Sequence, residues 1–215
     1  MPWSGAGRSP CRDSGTYSTS LNVRFTGCSS EIGREGMSVG RLTILSTDRV
    51  RITTWLPSDL NDLAVLHADP VTMRFIGSGR PETLDEARSR ITEYCDEQRV
   101  RGWTKWRVEN RDGDMIGRAG FGASDVGREL AYALRPDHWN RGLATEIAAG
   151  LVHWHNKHLP GDQSSSSICA YVEVGNHASV RVLEKVGFIF VDRRSYKGAA
   201  CDFFQVPKAE GACTD

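Results

Sequence analysis

The strongest constraint on this chain lies between Glu129 and Glu146, where a two-residue period gives way to a helical one. Glu129 to Leu134 alternates and is rich in residues that suit a strand. Pro136 ends that strand, because proline has no N–H to give to a ladder. From Leu143 onward, Leu143, Ile147, Leu151 and Trp154 recur at helical spacing and predict one buried face. Between strand and helix lies Trp139-Asn-Arg-Gly-Leu-Ala144, with small residues where the backbone turns into the helix. Such an entrance suits an anion, since the first-turn N–H groups have no partner and the helix dipole is positive there. Strand–loop–helix units with one glycine also occur as plain connectors, so the residues alone leave both readings open. Neither G-x-x-x-x-G-K-[ST] nor G-x-G-x-x-G occurs in this segment.

Composition narrows the classes. With 27 Lys and Arg against 27 Asp and Glu in 215 residues, the chain lacks the positive field of a general nucleic-acid binder. No apolar run approaches the roughly 18 residues of a membrane span, and the N-terminus has no apolar signal core. The six cysteines, Cys11, Cys28, Cys95, Cys169, Cys201 and Cys213, form no C-x-x-C pair. Scatter of that kind argues against zinc or a disulfide framework and for a reducing compartment, so the cytoplasm is the expected location. His153, His155 and His158 are close in sequence, but only His155 and His158 share a helix face. No metal is expected, and surface positions are expected for these histidines.

In chain order, residues 1–40 are dominated by Gly, Ser, Thr and Arg without an apolar period, and are expected to be a disordered extension. Met37 is an alternative start for the chain, and a short arm that docks on a partner is the other reading of this segment. Arg41 to Trp55 reads as a strand, with Val50, Ile52 and Thr54 on one side. Ser58 is the expected N-cap of a helix carrying Leu60, Leu63 and Leu66, which Asp69-Pro70 ends. Thr83 to Glu86 is a capping box, and its helix should bury Leu84, Ala87, Ile91 and Tyr94. Trp103–Asn110 and Met115–Phe121 form a hairpin around Arg111-Asp-Gly-Asp114. A polar loop follows at Pro160–Ser167, then a strand over Ile168–Val174. Asn176 opens a helix that Gly187 ends, and strands over Phe188–Arg193 and Cys201–Val206 close the layout. The fold class is α/β, one domain over residues 41–208, with a loose tail at 209–215.

The loop at Trp139-x-x-Gly142-x-Ala144 resembles the cofactor loop of the GNAT acetyltransferases, Gln/Arg-x-x-Gly-x-Gly/Ala, with Trp139 in the first place. Trp there, followed by Gly-x-Ala-Thr-Glu, is similar to the branch of ribosomal-protein N-terminal acetyltransferases of the RimJ/RimL type. Asn176-His-Ala-Ser-Val-Arg-Val-Leu-Glu-Lys-Val-Gly-Phe188 resembles the Asn-x-x-Ser…Lys-x-Gly-Phe signature of the same branch. Arg49-Val-Arg-Ile, Met73-Arg-Phe-Ile-Gly77, Gly102-Trp-Thr-Lys-Trp106 and Gly113-Asp-Met-Ile-Gly117 follow in the matching order. The resemblance spans roughly residues 45–208. It implies a mixed, splayed central sheet flanked by helices, with acetyl-CoA as co-substrate. The pantetheine arm would lie along Glu129–Leu134, an instance of strand addition. The pyrophosphate would sit on the amides of Asn140, Arg141, Gly142, Leu143, Ala144 and Thr145, with Asn176 and Ser179 nearby. Transfer to the amine would be direct, within a ternary complex.

The chemistry asks for an unprotonated amine, a stabilised oxyanion and a thiolate that can leave. Many relatives use a tyrosine seven residues past the asparagine as acid, and here that position is Leu183. Ser179 resembles the serine that the RimJ/RimL branch places near the sulfur, or it is a first-turn capping serine. Glu129 is the first candidate base and Glu173 the second, although a glutamate at a strand end is commonly just solvated. The expected acceptor is a protein N-terminal α-amine, with a small-molecule amine such as an aminoglycoside or polyamine as the alternative. Residues 67–105 are expected to wall the acceptor. A non-catalytic acyl-CoA-binding module is the reading from another class, made thinkable by Leu183.

Overall fold

The computed structural model describes residues 40–158 and 167–207. All but the last residue of the expected extension at 1–40, most of the polar loop and the expected tail lie outside them. Arg41 to Trp55 is not one strand. Ser46-Thr-Asp is turn-forming, and the Thr47 N–H donates to the Val50 carbonyl, which folds the segment into β1 (Thr43–Ser46) and β2 (Val50–Thr53). Nor does Ser58 cap the next helix. Pro57–Asp59 forms a 3-10 turn, and the Asp59 carboxylate is the one that accepts, from the Leu56 N–H. Helix α1 (Leu60–Ala68) follows. Asp69 ends it and, through its own carboxylate, caps the short α2 (Pro70–Met73), which the sequence pattern did not show.

Helix α3 (Leu84–Arg101) opens on the expected capping box, with Thr83 and Glu86 each bonding the other's backbone N–H. Its buried stripe is Ala87, Ile91 and Tyr94; Leu84, expected inside, shares that face but stands at the first helical position and is 51% exposed. Strands β3 (Lys105–Asn110) and β4 (Met115–Ser124) form the expected hairpin, and β5 (Gly127–Leu134) pairs antiparallel with β4. Helix α4 (Leu143–Lys157) connects to β6 (Ser167–Glu173), and α5 (His177–Lys185) leads to the final hairpin, β7 (Ile189–Tyr196) and β8 (Ala199–Gln205).

These strands form one eight-stranded sheet in the order β1-β2-β3-β4-β5-β6-β8-β7. Every adjacent pair is antiparallel except β5 and β6. Helices α4 and α5 cover one face, where Ile147, Leu151, Trp106 and Phe204 are buried together. Helices α1 and α3 cover the other, over Leu63, Leu66, Ile91 and Met115. Burying each such side chain is worth about 1.5–3 kcal/mol, so both helical layers are held by apolar contact.

The feature that positions the site is the parallel pair. β5 and β6 are in register at only three positions, Gly127–Ser167, Arg128–Ile168 and Glu129–Cys169. Beyond Glu129 the strands part. Leu130 to Leu134 stays paired to β4 on one side and, among the described residues, has no strand on the other.

Candidate active site

The Arg135 N–H donates to the Ile116 carbonyl, which sets the phase of β5 against β4. Backbone groups alternate edges along a strand, so those of Leu130, Tyr132 and Leu134 face the gap. The Leu134 carbonyl already accepts the Trp139 indole N–H at 2.7 Å. Trp139 therefore ties the loop to the end of β5, a role that explains its place in the motif. The remaining gap-facing groups can take an extended chain as a partner strand.

At the open end of the gap the chain enters α4 through two left-handed residues, Asn140 at φ 57° and Gly142 at φ 76°. Successive amides in such a conformation turn toward a common point. The first intrahelical bond is Glu146 N–H to the Gly142 carbonyl, which leaves the Leu143, Ala144 and Thr145 amides without helical acceptors. Leu143 buries its side chain, while Asn140, Arg141 and Gly142 are exposed. The loop is braced from behind. The buried Glu146 carboxylate accepts from Nε of Arg49 at 2.6 Å, and Nη1 of Arg49 holds the Arg141 carbonyl at 2.7 Å. Neither brace residue was singled out as a site residue by sequence reasoning.

Across the gap, Asn176 caps α5: its Oδ1 accepts the Ser179 N–H at 3.2 Å. The N-cap of this helix is therefore Asn176, and Ser179 stands in its first turn. Leu183 is fully buried and supplies no polar atom. Tyr132, on the β5 face toward α4 and α5, has a buried hydroxyl near enough to Ser179 for that side chain to favour its ionised form. Burial outweighs this and pushes the phenol up to about 12.

The opposite face of the gap's closed end holds Glu129. Although it stands near a strand end, it is only 8% exposed. Its Oε2 accepts from the Tyr196 hydroxyl at 2.7 Å and from Lys197 at 3.5 Å. Burial and the bond to Glu129 both push the Tyr196 phenol up, so it stays a donor. A methyl group at Gly122 would lie 3.0 Å from Nζ of Lys105 and 3.3 Å from Oε2 of Glu129, so this glycine admits both. Burial, then Arg118, draws the Lys105 ammonium down to about 8. Glu173, the second candidate base, lies four residues beyond the last β5–β6 pair, about 13 Å along the strand.

Tyr196 also lines a cavity of about 420 Å³ with Ser124, Asp125, Tyr171 and Arg194. The Tyr171 and Tyr196 rings stack at 3.7 Å and form one wall. The cavity beside Glu129 is thus built by the β4–β5 turn, β6 and β7, and no lining residue comes from 67–105. Sequence reasoning missed Tyr196 and Lys105 because long-range register brings them in; Tyr132 did have a signal, a polar-tipped ring in the alternation of β5. His155, expected at the surface, is buried, with Nδ1 3.3 Å from Nη1 of Arg128. Among the described residues, no helix is long and apolar enough to cross a membrane.

Residues 49–189 match the family described as acetyltransferase (GNAT) domain. The chain is 29% identical over 149 residues to the uncharacterized N-acetyltransferase YoaA of Bacillus subtilis (strain 168), covering 67% of this chain and 82% of that protein. It is similar in fold to RimL, a ribosomal L7/L12 alpha-N-protein acetyltransferase, with TM-score 0.65 and 13% identity over 80% of this chain and 97% of that one. It is also similar to AAC(6')-Ib in complex with ribostamycin and coenzyme A, with TM-score 0.60 and 17% identity over 74% and 93% of the two chains.

Proposed function

The chain belongs to the GNAT acetyltransferase family, and on that premise we propose that it moves acetyl from acetyl-CoA directly to a protein N-terminal α-amine, within a ternary complex. The observation that carries the reading is the bare edge of β5, closed at Glu129 and open toward the loop at Gly142. The residues present fit the co-substrate. The amides of Asn140 to Thr145 suit a pyrophosphate, the Arg49–Glu146 brace keeps them in place, and the gap-facing groups of Leu130, Tyr132 and Leu134 suit an amide-bearing arm. Acetyl-CoA supplies the activated acyl group and a thiolate leaving group.

Glu129 takes the proton from the incoming amine. It is fixed by Tyr196, which itself lines the cavity proposed to admit the acceptor. The α-amine is the better acceptor on magnitude: with a pKa near 7.7 about a sixth of it is neutral at pH 7, against less than about a thousandth of a lysine amine. One buried carboxylate is enough assistance for the first and little for the second. Ser179, in the first turn of the helix that Asn176 caps, is the assigned donor to the departing sulfur.

Thiol release by the wild-type protein should rise with peptides bearing free N-termini and not with the same peptides N-acetylated. Turnover of polyamines or aminoglycosides alone would move the assignment to small-molecule amines. Tight acetyl-CoA binding without thiol release from any amine would leave a binding module.

A further inference from the structure

Two buried side-chain nitrogen or oxygen atoms among the described residues lack a hydrogen-bond partner, Nε of Arg51 and the Tyr132 hydroxyl. An orphaned buried hydroxyl costs about 1–3 kcal/mol, and phenylalanine would fill the same space without that cost. Ser179 of α5 acts on the Tyr132 hydroxyl without completing a hydrogen bond to it. The Tyr132 ring lies on β5, and its own backbone faces the gap. Glu129, three residues back on the opposite face, marks where the gap closes. Leu183 offers nothing polar to that space.

We infer that the Tyr132 hydroxyl, with Ser179 beside it, donates the hydrogen bond that receives the sulfur as the acetyl group departs. The inference rests on the acetyl-transfer reading above. In the step, the amine nitrogen bonds to the acetyl carbonyl carbon and the carbon–sulfur bond breaks. Its electron pair stays on sulfur, and the amine proton goes to Glu129. Tyr132 keeps its own proton and shares it with the thiolate, which is protonated by solvent on release. Burial holds the phenol near 12, so it remains a donor at every pH where the amine reacts. Such a contact strengthens only as charge develops on sulfur, so it acts on kcat and hardly on KM.

The test is Tyr132→Phe, with Ser179→Ala as companion. Tyr132→Phe should lower kcat about ten- to a hundredfold, leave KM for acetyl-CoA within about twofold, and leave Tm unchanged or higher. A second readout needs no turnover. Calorimetry at pH 9 should show the wild type binding coenzyme A better than desulfo-coenzyme A, and Tyr132→Phe losing that preference. A kcat within about twofold of wild type, a retained preference for the sulfur, or a lower Tm would each overturn the inference. If the wild type releases no thiol with any amine, the acetyl-transfer reading fails, and the coenzyme A comparison still decides whether Tyr132 contacts sulfur.

Discussion

At the scale of single residues, Glu129 combines burial with a short bond from Tyr196, and under the proposed function it is the group that takes the amine proton. Glu129→Gln should retain the Tyr196 bond and lower kcat at pH 7 by about 10²–10⁴-fold. The deficit should shrink toward pH 9, where an α-amine of pKa about 7.7–8.0 is already neutral. A pH–rate profile of the two proteins with one peptide acceptor checks this; a deficit constant across pH would mean that Glu129 does not take the proton. The position of Glu129 at the head of an alternating strand was legible. Its partner was not. Tyr196 is 67 residues away, and no local pattern says that β7, rather than another strand, folds back across β8 to reach it.

At the scale of elements, the entrance to α4 was legible because proline, glycine and the change of period all occur within a few residues. The splitting of residues 41–55 into β1 and β2 was hidden, since Val50, Ile52 and Thr54 alternate just as they would in one longer strand. What the sequence could not show about the α4 entrance is the brace, which ties Arg49 of the β1–β2 turn to Glu146 across 97 residues. Gly142 sits at φ 76°, where a side chain costs about 1–2 kcal/mol, while a methyl group there would meet only Nη2 of Arg49, at 3.5 Å. Gly142→Ala should therefore weaken acetyl-CoA binding modestly. Gly142→Glu adds a carboxylate facing the pyrophosphate and should cost about 1–3 kcal/mol more, a further tenfold or so. Calorimetry on both variants, with folding verified by circular dichroism, separates backbone strain from charge. Equal affinity in both would remove the anion from this loop.

At the scale of the whole molecule, one buried network joins α1, β4 and the segment just before α3. Nε of Arg118 donates to Nε2 of His67 at 2.9 Å, and Nδ1 of His67 faces Glu82 at 2.6 Å. Burial, then Arg118, lowers His67 from the usual 6.5 to about 4. The unfolded chain takes up that proton below about 6.5, and the folded chain resists until about 4. The contribution of His67 to stability is thus intact above that window and is lost as pH falls through it. Melting temperature should decline between these values in the wild type, and His67→Gln should show a shallower decline. The seam of three residue pairs between β5 and β6 also imposes an order of events. A half-strand with a bare edge is an unfinished layer, and the wall on which Glu129 and Tyr196 stand is completed only when something lies in the gap. Under the proposed function the donor should dock first, with the acceptor held weakly until it has. Initial-rate plots should intersect rather than run parallel, and an acceptor peptide should bind measurably only once coenzyme A is present. The missing length of strand is a lock on sequence in time: the protein finishes building its own sheet once in every turnover.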